Sequence, residues 1–163
     1  MSSVDVTKLN IMVVEDNVHF LTLIRSILEA LGMSSIEEAR DGIEALELLG
    51  DEEHRDIDLV ILDWKMEGMD GVECVSQIRK LDCDNRTVPI IMVTGYTETS
   101  LQNEARDAGV NDFLGKPISP QSLLSRIVSV MEAPREWIES DGYHGPDRRR
   151  ASEPYKVPDR RKS

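Results

Sequence analysis

Apolar residues in this chain follow two alternating rhythms. Short runs that are apolar throughout, Ile11–Val14, Leu59–Leu62 and Pro89–Val93, have the length and β-branched content of strands buried on both faces. Ser35–Ala39 is a weaker second strand and Asp112–Leu114 a short fifth. Between them lie segments with helical period. Val18–Leu31 carries Phe20, Leu21, Ile24, Ile27, Leu28 and Leu31 on one face and is closed by Gly32, a usual C-terminal stop. Ile43–Leu49 follows Asp41, which reads as a cap, and precedes Gly50. Gly71–Leu81, Glu98–Ala108 and Pro120–Met131 complete the set, and acidic Asp51–Asp56 is a solvated loop. Strand and helix alternate five times. That order predicts an α/β fold, a doubly wound parallel sheet with helices on both faces.

After Ala133 the pattern stops. Pro134, Pro146, Pro154 and Pro158 arrive with Gly142 and Gly145, a linker or arm composition. The division is therefore a folded domain over residues 1–133 and a Pro/Arg-rich tail over 134–163. Trp137, Ile138 and Tyr143 give the tail the means to dock locally, and Gly145-Pro146-Asp147-Arg148-Arg149-Arg150 is echoed by Val157-Pro158-Asp159-Arg160-Arg161. The tail holds 8 of the 19 Lys/Arg and 6 of the 31 Asp/Glu, which leaves 11 and 25 on the body, a balance of −14. Such a body repels phosphate backbones, so direct DNA binding is not expected. A basic arm of this kind would be drawn to an acidic surface. No apolar run approaches the roughly 18 residues of a membrane span, and Met1–Lys8 lacks the order of a signal peptide. A cytoplasmic protein with no membrane contact is expected, with Cys74 and Cys83 as reduced thiols.

The polar residues at the predicted strand ends carry the chemistry. Glu15 and Asp16 follow the first strand, Asp63 the third, Thr94 the fourth and Lys116 the fifth. In an open parallel sheet these ends form the edge where ligands bind. Three converging carboxylates repel one another and raise each other's pKa, so the cluster asks for a cation. Oxygen-only ligands favour a hard one such as Mg²⁺. A hydroxyl and an ammonium are poor ligands for that ion but good partners for phosphoryl oxygens. Phosphoryl transfer needs little beyond in-line positioning and charge neutralisation, and a carboxylate can be the nucleophile that forms an acyl phosphate. Asp63 is the expected nucleophile.

Over roughly Asn10 to Met131 the sequence resembles the receiver family of bacterial two-component signalling. The resemblance runs through Val13-Val14-Glu15-Asp16-Asn17, Leu62-Asp63-Trp64, Gly68-Met69-Asp70-Gly71, Val93-Thr94-Gly95 and Phe113-Leu114-Gly115-Lys116-Pro117. It implies a flavodoxin-like sheet of five strands in the order 2-1-3-4-5, and a response regulator that accepts a phosphoryl group on Asp63. Asp16 would bind Mg²⁺ directly, Glu15 mostly through water, and Asp63 and the main-chain carbonyl of Lys65 would complete the protein ligands. Thr94 and Lys116 would hold the phosphoryl group. The peptide before Pro117 would be cis. Phe113 matches an aromatic switch position that turns inward when Thr94 moves, altering the face of the fourth helix, fifth strand and fifth helix. Lys65 and Tyr96 stand at places that tune phosphoryl lifetime. The implied partners are a histidine kinase or phosphotransfer protein and a downstream target protein, with a second copy of the chain as a further candidate. No output domain of sufficient length follows Met131, so the expected output is protein contact.

Several positions depart from the commonest family pattern. Glu15 stands where Asp is usual, Glu67-Gly68 where many members have a proline turn, and Phe113 lacks the hydroxyl of a switch tyrosine. The competing reading is a pseudo-receiver, the same fold used as an interaction module without phosphorylation. A phosphohydrolase with an aspartyl intermediate needs a second carboxylate two residues past the nucleophile, where Lys65 stands. True turnover is therefore not expected, and the chain would act only on itself. Neither a Gly-rich dinucleotide turn nor a Gly-Lys-Ser/Thr loop follows any strand. His19, His54 and His144 lack metal spacing, the Met66 and Met69 pair reads as loop packing, and Trp64 as cover on the rim of the site.

Overall fold

Runs without polar interruption become the interior of the sheet. In the computed structural model, which describes residues 5–54, 56–95, 99–132, 137–140 and 143–146, strands β1 (Asn10–Val14), β3 (Leu59–Asp63) and β4 (Ile90–Thr94) are buried almost without exception. The weaker β2 (Ser35–Ala39) and the short β5 (Asp112–Gly115) take the two edges. All pair in parallel in the order β2-β1-β3-β4-β5, as the resemblance implies. The register aligns Val14 with Leu62, Asp63 with Val93 and Thr94 with Gly115. The C-terminal ends therefore reach one edge together, and chain direction across the sheet reverses between β1 and β3, where such folds open a crevice.

The first three helices each begin on a side-chain cap. Asn17 accepts from the Phe20 amide at 3.0 Å to start α1 (Val18–Ala30), Asp41 from Glu44 at 2.7 Å to start α2 (Gly42–Leu49), and Asp70 from Glu73 at 2.8 Å to start α3 (Gly71–Ile78). Each satisfies a backbone donor that the helix cannot. Helices α4 (Thr99–Ala108) and α5 (Pro120–Glu132) complete the set. On one face α1 and α5 bury Leu21, Ile24, Leu28, Leu123 and Ile127 against Ile11, Val13, Ile61 and Ile91. On the other, α2, α3 and α4 bury Ala45, Leu49, Val75, Ile78 and Ala105 against Met12, Val60, Leu62 and Met92. No helix among the described residues is long and apolar enough to cross a membrane.

One helix end differs from expectation. Helix α3 stops at Ile78 instead of Leu81; Lys80 and Leu81 donate to Gln77 and Ile78 in tighter turns, and the Arg79 side chain dives into the core. In the tail, whose composition suits a linker or an arm able to dock locally, Trp137–Ser140 (β6) and Tyr143–Pro146 (β7) pair as an antiparallel hairpin with β7 against α4 and Pro146 buried. Asp141-Gly142 between them is a dipeptide favoured in two-residue hairpin turns, and that was the available signal. The echo of the tail motif, 157–161, lies outside the described residues.

Candidate functional site

Every expected strand-end residue within the described part of the chain lies along the C-terminal edge of the sheet. Glu15 and Asp63 are buried at 1% and 4% exposure. Carboxylate oxygens of Glu15, Asp16 and Asp63 lie within 4.8 Å of one another. Lys116 reaches over from the end of β5, its Nζ 3.0 Å from Asp63 Oδ1. Thr94 is buried at the end of β4, and its carbonyl accepts from the Lys116 amide at 2.9 Å, tying the last two strand ends together. The Lys116–Pro117 peptide is cis.

The surrounding loops are shaped by close backbone approach. The amide of Asn17 donates to Glu15 Oε2 at 3.1 Å, and that of Glu67 to Asp16 Oδ2 at 3.0 Å. The β3–α3 loop thus folds back on the first acidic pair. Gly68 turns it with φ of 78°, in the left-handed region, where proline could not stand. At Gly71 a Cβ would sit 2.7 Å from the Asp63 carbonyl oxygen and 2.8 Å from the Trp64 Cα, so only glycine lets α3 start this close to the backbone of Asp63.

Burial dominates the electrostatics. Desolvation lifts Glu15 to about 7, partly opposed by the Asn17 amide and reinforced by the nearby charge of Asp63. Asp63 is raised by the same burial, with Lys116 pulling it back. One oxygen, Glu15 Oε1, is buried with no hydrogen-bond partner, an orphan among the described residues. A buried carboxylate oxygen left unpaired beside two more carboxylates is what a cation would satisfy. The donors are all oxygen, the set a hard divalent ion takes. The residues fit Mg²⁺.

The remaining candidates are placed as follows. Lys65 is exposed just past Trp64. Phe113 is half-buried against the α2, α3 and α4 side of the core, with the Arg106 guanidinium 5.8 Å from its ring centroid. Tyr96 lies outside the described residues. Trp64, expected as cover on the rim, is instead buried in the core at 8% exposure, as is Met66 at 6%, because the strand alternation that points Asp63 into the crevice turns the next side chain away from it. Sequence reading missed the roles of Asn17 and Gly71, and it took Phe20 as a core residue only.

A family model for the response regulator receiver domain matches residues 11–128. The chain belongs to the response-regulator receiver family. It is 31% identical over 124 residues to chemotaxis protein CheY-3 of Vibrio cholerae, covering 76% of this chain and 92% of that one. To the cyclic di-GMP phosphodiesterase response regulator RpfG of Xanthomonas campestris it is 34% identical over 125 residues, 76% of this chain but 32% of that longer protein. Among solved structures, the CheX-CheY-BeF3-Mg+2 complex from Borrelia burgdorferi superposes with a TM-score of 0.69 at 29% identity, covering 76% of this chain and 89% of that one.

Proposed function

We propose that this receiver is a phosphoacceptor in two-component signalling, taking a phosphoryl group on Asp63 from a histidine kinase or histidine phosphotransfer protein and passing the change to a downstream protein. The observation that carries the reading is the pairing of Lys116 Nζ with Asp63 Oδ1 at 3.0 Å beside an acidic trio whose Glu15 Oε1 has no partner. Glu15, Asp16, Asp63 and the main-chain carbonyl of Lys65 would hold Mg²⁺. When bound, that ion supplies charge neutralisation for the phosphoryl oxygens. The Mg²⁺ of the CheX-CheY-BeF3-Mg+2 complex from Borrelia burgdorferi supports this assignment.

The chain's own groups do the rest. A carboxylate oxygen of Asp63 forms a bond to phosphorus as the bond from phosphorus to the donor imidazole nitrogen breaks; the electron pair stays on the imidazole, which takes up a proton. Lys116 neutralises an equatorial oxygen as a point charge, and the Thr94 hydroxyl donates to another. Phe113 turns inward as Thr94 follows the phosphoryl group, changing the α4, β5 and α5 face. Lys65 and Tyr96 shield the phosphoryl group from water. The event is a single self-modification in place of turnover. We assign residues 1–133 to the receiver and 134–163 to an appended arm, and we place the protein in the cytoplasm, with output through protein contact, homodimers included, and not through DNA.

Incubation with acetyl phosphate and Mg²⁺, followed by intact-mass measurement and borohydride trapping, tests the reading. The expected result is one phosphoryl group, on Asp63, absent in Asp63→Asn. An unlabelled wild-type chain favours the phosphorylation-independent module.

A further inference from the structure

We propose that Phe20, on the first turn of α1, is a positioning residue that holds the Lys116 ammonium against Asp63 through the face of its ring. The ring centroid lies 4.2 Å from Lys116 Nζ, within the range where a cation is attracted by an aromatic quadrupole. Lys116 needs such a second hold. Its backbone is tied to Thr94, but its side chain is long and 34% exposed. A lone ion pair on a flexible stem yields readily to water and rotamer entropy.

Phe20 is itself fixed by the loop that displays the carboxylates. Glu15 Oε2 accepts from Asn17 N at 3.1 Å, and Asn17 Oδ1 accepts from Phe20 N at 3.0 Å. The ring is half-buried against the α1 and α5 side of the core. Glu15, Asn17, Phe20, Lys116 and Asp63 thus form a chain of contacts that runs from the end of β1 through α1 and the end of β5 to β3. The choice of a ring over an acid has a chemical consequence. A carboxylate at this place would pair with Lys116 and compete for the cation, whereas a phenyl face orients the ammonium and leaves its full charge for an incoming phosphoryl oxygen. An aliphatic residue would cover the lysine stem but exert no pull on the ammonium.

The functional part rests on Asp63 being the phosphoacceptor; the placement of the ring does not, and two measurements separate them. Proton NMR of the unmodified, full-length chain should show the Lys116 ε-methylene protons displaced upfield by ring current, and Phe20→Leu should abolish the displacement. Phosphorylation by acetyl phosphate with Mg²⁺ should slow about two- to fivefold in Phe20→Leu, recover in Phe20→Trp, and show no dependence on Phe20 in a Lys116→Met background. An absent upfield displacement in wild type overturns the proposal even if Phe20→Leu proves unstable. So does a Phe20→Leu penalty of equal size with and without Lys116, the mark of a purely structural residue. A wild-type chain with the displacement but no label on Asp63 removes the phosphoacceptor reading and leaves the contact standing.

Discussion

Arg79 and Glu15 are both buried charged residues, at 4% and 1% exposure, yet they are treated in opposite ways. The Arg79 guanidinium sits where α3, the turn Asp84–Thr87 and the end of α4 meet. It donates to Gly109 O at 2.7 and 3.1 Å, to Val88 O at 2.7 Å, to Arg86 O at 2.8 Å and to Asn111 Oδ1 at 3.0 Å. Gly109 takes φ of 115° and admits no Cβ without pressing on the arginine stem. Glu15 has one satisfied oxygen and one orphan, and burial lifts it to about 7. The first group gives its donors to main-chain carbonyls and the Asn111 side chain, and so fastens three segments. The second is left incomplete at the C-terminal edge of the sheet. Buried charge marks structure where it is saturated and a site where it is not.

The largest expected effect breaks the saturated side. Arg79→Met leaves the carbonyls of Gly109 and Val88 buried without these donors, and urea unfolding should report a loss of about 3 kcal/mol or more; a loss under about 1 kcal/mol would show that water enters the junction and pairs them instead.

Glu15 sharpens the other side through pH. Its native pKa of about 7 lies above the ordinary 4.5, so between these values the native state holds a proton that the unfolded chain has released. Stability therefore falls as pH rises through that window and is flat above it. In chelator, Glu15→Gln should match wild type near pH 4 and exceed it above pH 7 by on the order of 2 kcal/mol. Parallel pH–stability curves for the two proteins would exclude this account.

The smallest effect comes from an exposed control. Arg25 pairs with Glu38 at 2.9 Å and Glu29 at 3.4 Å, with more than a third of its side chain in water. Arg25→Ala should cost about 0.5 kcal/mol or less, read by the same denaturation, and the cost should shrink in high salt.

Much of this molecule was legible before folding. Continuous apolar runs marked the central strands, the cap at Asp41 sits beside the helix start it serves, and the acidic pair, Asp63, Thr94 and Lys116 fell at strand ends. These are local signals, set by periodicity and by the chemistry of neighbouring residues. Parallel strands then carry whatever follows them to one edge. The arginine junction, the Phe20 contact with Lys116 and the inward turn of Trp64 left no comparable trace. Arg79 reads as one more surface charge on a helix, and Phe20 as one more apolar residue on an amphipathic face.

The chain alone determined its elements, the edge that gathers its polar residues and the kind of ion and anion those residues suit, because each follows from short-range pattern and side-chain type. Only the tertiary structure decided which buried charge is satisfied and which is left open. Hydrogen bonding and desolvation depend on groups brought together from distant parts of the chain, and a packed interior either reaches such a group or does not.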